Sequence, residues 1–201
     1  MPRVSSKEKY VVKAYELFRK EGLRLNMDQI ACGLNLTKKT LYNNFENKED
    51  LIRTALQYFF SEVEKNINES MKGSRNAIEA LFLITSVVRD EIEKLGEELF
   101  KDMSQYMAEH KLLNHTNRMS FYSKIIRENL LRGIKEQLYR ADLNIEYATL
   151  FYTSAIERFY KWDDGVYKFL GDSYMFHSEL VKHHLYSVVS NSGRIILESY
   201  L

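Results

Sequence analysis

Residues 26–51 read NMDQIACGLNLTKKTLYNNFENKEDL, and the way this stretch punctuates itself decides the fold. Asn26 is a good helix N-cap, with Gln29 three residues on, the spacing at which two side chains satisfy each other's orphan amides. Met27, Ile30 and Ala31 begin an apolar face that stops near Leu34. Asn35 then supplies the turn, because asparagine tolerates positive φ better than other non-glycine residues. Thr37 caps a further helix over 38–44, whose Leu41 and Phe45 face inward at i, i+4 spacing. Asn47 caps the next, with Asp50 at its third position. Two short helices joined by so tight a turn are helix-turn-helix geometry.

The flanks agree with this reading. Upstream, Ser5 and Glu8 have capping-box spacing, Val11, Ala14, Tyr15 and Phe18 form a helical stripe, and Gly22 is placed to end that helix. Downstream, Leu51, Ile52, Ala55, Leu56, Phe59, Val63 and Ile67 keep helical spacing from 48 toward 71. The rest reads as helix over 74–95, capped by Ser74 and stopped by Gly96, and again over 97–110. A loop is expected at 111–116. Helices are then expected at 117–139, at 144–162 behind an Asn144 cap, and at 174–190. Asn191-Ser192-Gly193 reads as a break before a last helix at 194–201. Gly133 costs its helix on the order of 1 kcal/mol relative to alanine.

The expected fold is therefore all-α. A three-helix helix-turn-helix domain (1–50) joins, through a long helix, a larger C-terminal helical domain (51–201). One proline (Pro2) and eight glycines leave few breakers, which favours long helices over strands. With 45% hydrophobic residues a packed core is within reach, so disorder is not expected. The single cysteine, Cys32, excludes an internal disulfide framework and fits a reducing cytosol. No charged-then-apolar leader opens the sequence, so secretion is not expected. The longest apolar run, at 80–88, is interrupted by Thr85 and Ser86 and falls far short of the ~20 residues that span a bilayer. No membrane association is expected, and the expected location is the cytoplasm.

Charge is placed unevenly. Residues 1–50 carry ten basic and seven acidic side chains, whereas the whole chain has a net charge of only +1. Any nucleic-acid surface must be local, and it must lie in the N-terminal part. Lys38, Lys39, Thr40, Tyr42 and Asn43 fall on or near the outer side of the 38–44 helix, flanked by Asn26, Thr37 and Lys48. Lysines near a helix N-terminus reach phosphates or guanine, asparagine pairs bidentately with adenine, and a tyrosine hydroxyl suits a phosphate. These eight residues are the expected DNA-binding set. On spacing and composition alone, a three-helix bundle with a merely solvated basic face remains the alternative.

The same residues carry a family resemblance. Leu17-Phe18 followed by Gly22, then Ile30-Ala31, then the run Thr37-Lys38-x-Thr40-Leu41-Tyr42-x-x-Phe45-x-x-Lys48-Glu49-x-Leu51, resemble the DNA-binding domain of TetR-family transcriptional regulators. The resemblance covers about residues 8–60. It departs from the usual pattern at Asn35 and Lys39, where such proteins often carry glycine. It implies a homodimer that binds a near-palindromic double-stranded operator and is released by a small molecule, most often as a repressor.

The resemblance also implies that the larger domain both encloses a small-molecule pocket and dimerises. Met103, Tyr106, Phe121, Tyr122, Phe151 and Tyr152 are the pocket candidates, and their types suit a partly apolar effector. Phe151 also falls, with Ala155, Phe159, Leu180, His184 and Val188, at helical spacing on the two helices expected to meet a second subunit. For each of these residues ordinary core packing is the competing reading.

Catalytic signals are absent, and the metal signal is weak. His177 and His184 lie seven apart with His183 and Glu179 nearby, but adjacent histidines point in different directions and a third ligand at diagnostic spacing is missing. Cys32 has no evident activator and reads as structural filler rather than a redox sensor. Nothing resembles a phosphate loop or a nucleophile elbow, so no enzyme activity and no cofactor or metal are expected. Two rival functions stay open: an enzyme or carrier that merely contains a helix-turn-helix-like bundle, and a DNA-binding regulator without an effector.

Overall fold

The computed structural model describes residues 6–95, 99, 102, 103, 105, 106, 115–160 and 173–201, with the backbone alone described at 92, 115–121, 157–160, 173 and 174. In chain order the helices are α1 (Ser6–Glu21), α2 (Met27–Gly33), α3 (Lys38–Asn44), α4 (Lys48–Met71) and α5 (Ala77–Leu95). They continue with α6 (His115–Lys135), α7 (Ile145–Tyr160), α8 (Ser173–Val188) and α9 (Asn191–Glu198). Leu99, Asp102, Met103, Gln105 and Tyr106 are helical as well. Among the described residues the sole sheet-like pairing is a bridge between Tyr139 and Val189, and no helix is long and apolar enough to cross a membrane.

The chain forms two compact units, one of Met1–Lys65 with Glu91–Leu113 and one of Asn66–Asp90 with Asn114–Leu201. In the first, α1 buries Val11, Ala14, Tyr15 and Phe18, as its stripe predicts. Tyr15 stacks on Phe59 of α4 at 5.7 Å between centroids and meets Tyr58 edge-on at 5.8 Å. Burial pushes the Tyr15 hydroxyl up to about 12. Leu41, Leu51, Ile52 and Ala55 are fully buried, each large aliphatic side chain adding about 1.5–3 kcal/mol of burial. α1 ends at Gly22, where φ is +73°.

In the second unit several expectations are overturned, and the contacts give the reason for three of them. α5 begins at Ala77 rather than at Ser74, because Asn76 is the cap: its Oδ1 accepts the Glu79 amide at 2.9 Å. Ser74 instead closes α4, donating to the Met71 carbonyl at 2.7 Å. The start of α5 is held by α6, where Glu136 accepts the Ala77 amide at 2.7 Å and Asn129 donates to the Ala77 carbonyl at 2.8 Å. Arg132 of the same helix donates to the Ser74 hydroxyl at 2.7 Å and to its carbonyl at 3.1 Å.

α6 stops at Lys135, short of the expected 139, because Gln137 takes φ +61° and the Leu138 and Tyr139 amides turn back onto the Gly133 carbonyl. The Tyr139 ring lies across Gly133, where a Cβ would overlap it, and its hydroxyl donates to Asn129 at 3.1 Å. Gly133 is thus required for a contact. Finally, Asn191-Ser192-Gly193 is no break. It is the first turn of α9, capped by the Ser190 hydroxyl on the Gly193 amide at 3.1 Å. Gly193 fits there because a Cβ would run into the Leu138 backbone.

The Asn144 cap of α7 is present, on the Tyr147 amide at 3.1 Å. His115 and Thr116 are helical rather than loop. Gly96, the 111–114 part of the expected loop and Trp162 lie outside the described residues.

Candidate nucleic-acid interface

The helix-turn-helix of α2 and α3, the candidate DNA reader, is built by its caps. Asn26 (φ −83°, ψ 169°) accepts the Asp28 and Gln29 amides at 3.0 and 2.9 Å, and Gln29 accepts the Asn26 amide in return at 2.9 Å. Asn35 adopts φ +55° in the turn, and the Leu36 amide reaches the Ala31 carbonyl at 2.9 Å. Thr37 caps α3 on the Thr40 amide at 3.1 Å and bonds the Thr40 hydroxyl at 2.8 Å. Ile30, Leu41 and Phe45 lock the inner face, and the Lys7 ammonium sits 5.3 Å from the centre of the Phe45 ring.

Of the eight residues expected at DNA, Lys38, Lys39, Tyr42 and Asn43 are exposed on α3, while Thr40 and Lys48 are half-buried. Asn26 and Thr37 are exposed too, but their acceptor oxygens are occupied by the caps. The Lys38 Nζ contacts both Asp28 oxygens, at 2.8 and 2.9 Å, and this hydrogen-bonded pair raises the Lys38 pKa. Lys39 and Lys48 make no ion pair among the described residues. The outward set thus offers an uncommitted ammonium, a phenol and an amide at adjacent positions of one short helix. Those groups suit phosphate and base-edge contacts. At the start of α4, partial burial pushes the Asp50 carboxyl up, but hydrogen bonds from Arg53 and the Glu46 amide outweigh it and its pKa falls.

One residue bearing on the reader was missed from sequence. Asp102 is buried in the first unit, where its carboxylate accepts the Leu23 amide at 2.8 Å and the Arg24 Nε at 3.2 Å. A contact over so long a sequence distance leaves no local signature.

The body residues divide between the two units. Met103 and Tyr106 belong to the first unit, where burial, and secondarily the Glu49 charge, pushes the Tyr106 hydroxyl up to about 12. Tyr152, in the second, is buried with its hydroxyl 2.9 Å from the Thr85 hydroxyl and its ring 4.5 Å from that of His184. Tyr122 is half-buried, and the Phe121 side chain lies outside the described residues. Phe151 is 70% exposed, so it lines no enclosed pocket of its own subunit. It stacks with exposed Tyr147 at 6.2 Å and, with exposed Leu150, forms an apolar stripe along α7.

Among the dimer candidates, His184 and Val188 face their own core, whereas Ala155 and Leu180 are half-buried and the Phe159 side chain lies outside the described residues. Tyr147, Leu150 and Phe151 share i, i+3, i+4 spacing, yet such spacing does not tell a buried face from an open one. The histidines do not converge: His177 and His184 are buried and His183 is exposed. Burial holds both buried imidazoles down to about 4, with the Arg89 charge adding to the effect at His177. Cys32 is exposed, which removes its reading as core filler.

Comparison with known proteins bears on this geometry. The solved structure of the ketosteroid transcriptional regulator KstR2 of Mycobacterium tuberculosis is similar over 94% of this chain and 98% of that one, at 19% identity and a TM-score of 0.60. A transcriptional regulator from Cytophaga hutchinsonii ATCC 33406 matches over 91% and 98%, at 15% identity and a TM-score of 0.73. SmeT, the repressor of the Stenotrophomonas maltophilia multidrug efflux pump SmeDEF, matches over 93% and 92%, at 14% identity and a TM-score of 0.69. At such identities these likenesses show the fold.

In sequence, the chain is 22% identical over 102 residues to the uncharacterized HTH-type transcriptional regulator YvaF of Bacillus subtilis (strain 168). That match covers 49% of this chain and about half, 53%, of the relative's length. Residues 11–55, which hold the Asn26 and Thr37 caps, the Asn35 turn and the whole of α3, match the family model of the bacterial regulatory proteins, tetR family.

Proposed function

We propose that the protein is a homodimeric, ligand-responsive transcriptional regulator, a repressor that a small molecule releases from a near-palindromic operator. The observation that carries this reading is α3 itself. Its inner face is fixed by Leu41 and Phe45, and its outer face presents Lys39, Tyr42 and Asn43 to solvent. Residues 1–50 read DNA, and residues 51–201 bind the effector and dimerise. Two α3 helices in successive major grooves set half-site centres ~34–36 Å apart, or a multiple of that. The second subunit packs on the Tyr147, Leu150 and Phe151 stripe of α7. The protein acts in the cytoplasm, without membrane or cofactor.

The effector reading rests on the second unit. His184 Nε2 and Thr149 Oγ1 are buried without a hydrogen-bond partner among the described residues; the His184 ring lies 4.5 Å from that of Tyr152, and Thr149 precedes Tyr152 by one helical turn. Such atoms cost about 1–3 kcal/mol each until something bonds them. A partly apolar small molecule with a neutral hydrogen-bonding group fits. A ligand weakens DNA binding only by favouring the dimer state that binds DNA less well.

Selection of bound duplexes from a random pool tests the function. The expected product is an inverted repeat whose binding falls steeply with salt. Failure to retain any duplex at low salt overturns the DNA-binding reading and favours an enzyme or carrier instead. A small-molecule screen for release from the selected duplex then tests the effector.

A further inference from the structure

Asp28 is the second residue of α2 and Lys38 the first of α3, so their ion pair spans the turn of the reader. Both carboxylate oxygens lie within 2.8–2.9 Å of the ammonium. The side chains are 69% and 53% exposed, so the pair stands in solvent, and its lysine belongs to the helix that carries exposed Lys39 and Asn43.

An exposed pair of this kind stabilises a fold by only ~0–1 kcal/mol. The relation of α2 to α3 is already set by the Asn26 and Thr37 caps, the left-handed Asn35, and the burial of Ile30, Leu41 and Phe45. The fold therefore does not require a carboxylate at residue 28. For a surface that meets a polyanion that carboxylate is a liability, since it repels phosphate and occupies one of the few cations on α3.

We infer that Asp28 is a specificity-determining residue, holding the Lys38 ammonium back from phosphates so that only a duplex giving Lys38 a directed acceptor recovers the lost contact. The inference rests on the DNA-binding reading above and deepens it. On mixed-sequence DNA, Lys38 stays on Asp28, and the nearby negative charge weakens every backbone contact. At the operator, a base-edge acceptor such as guanine O6/N7 competes for the ammonium. The carboxylate thus lowers non-specific affinity more than operator affinity.

The test is a double-mutant cycle of Asp28→Asn and Lys38→Ala, titrated across salt against the selected operator and a mixed-sequence duplex. Asp28→Asn is expected to tighten mixed-sequence binding roughly three- to tenfold, steepen its log–log salt slope by about 0.9, and narrow the operator preference. Adding Lys38→Ala should return the slope to its starting value. Thermal melting of each variant confirms that the fold is intact. Equal tightening on both duplexes, with or without Lys38, overturns the inference and leaves Asp28 a general repulsive charge. No change in either titration overturns it as well. Absence of duplex binding by the unmodified protein overturns the DNA-binding reading and this inference together.

Discussion

The Asp102 carboxylate accepts the backbone amide of Leu23 at 2.8 Å, across a sequence separation of 79 residues. The approach depends on Gly22. At φ +73° it turns the chain out of α1, and a Cβ there would stand 2.5 Å from Asp102 Oδ2. The second oxygen holds Arg24, whose side chain is 75% exposed while Asp102 is 7% exposed. The turn that leads into the reader is therefore clasped by a residue far outside the reader's own sequence.

Asp102→Ala strands the buried Leu23 amide and should cost about 1–3 kcal/mol in urea unfolding. Asp102→Asn keeps an acceptor and should cost less, and Arg24→Ala should cost under about 1 kcal/mol because the arginine is largely solvated. Equal losses for all three variants would place the energy in the ion pair instead of the amide bond.

Gly133→Ala sets two effects against each other. Alanine gains about 1 kcal/mol of helix propensity. Its methyl would overlap the Tyr139 ring, and overpacking of that kind costs ~1–3 kcal/mol. The clash is with a buried ring held at Asn129, so a lower melting temperature is expected. Gly133→Ala with Tyr139→Leu should recover part of the loss; a single variant that melts higher than the parent refutes the packing argument.

Acid should weaken the second unit through its two buried histidines. His177 and His184 hold folded pKa values of about 4 against 6.5 unfolded, so the unfolded chain binds more protons between those limits. Their contribution is complete above pH 6.5 and is lost as pH falls toward 4, at up to about 1.4 kcal/mol per pH unit for each histidine. Asp50 and Glu79 have lowered pKa values, so their losses come below about pH 4.5. Unfolding measured from pH 7 to 5 should show the slope, and His184→Gln should remove about half of it.

Phe151→Glu should leave the subunit's melting almost unchanged, since the side chain is exposed, while weakening self-association at least tenfold in sedimentation equilibrium. Ala155→Glu, on the same helix but half-buried, should also lower protomer stability. Unaltered association of the Phe151 variant would move the interface off this stripe.

Lys39→Ala should reduce affinity for all duplexes and flatten the salt slope by about 0.9, as for a phosphate contact. Asn43→Ala should relax preference at one base position, at a cost of ~1–3 kcal/mol there. A uniform loss across sequences would make Asn43 a backbone contact instead.

Much of the reader was legible because its signals are local. The Asn26–Gln29 capping box, the Thr37 cap and the left-handed Asn35 are each written within four residues. The errors fall where distant chain decides. Ser74 and Asn76 are both plausible caps, and α6 selects between them. Gly193 looks like a breaker until Leu138 is beside it, and Gly133 looks like a cost until Tyr139 covers it. Phe151 and Tyr152 are neighbours of one type, yet only the second is buried, and adjacent helical positions carry no mark of which side the core takes.

The first turn of α5 has a bearing on the order in which the chain is made. Its Ala77 amide and carbonyl wait on Glu136 and Asn129, and the Ser74 corner waits on Arg132, partners 52 to 59 residues further along. During synthesis α4 and α5 leave the ribosome with that corner unsatisfied, and it stays so until the end of α6 follows. The α1–α3 bundle has its caps in hand from the start. The corner on which the second unit is built therefore matures well after the reader's caps, and a pause in translation between residues 95 and 136 would prolong its exposure.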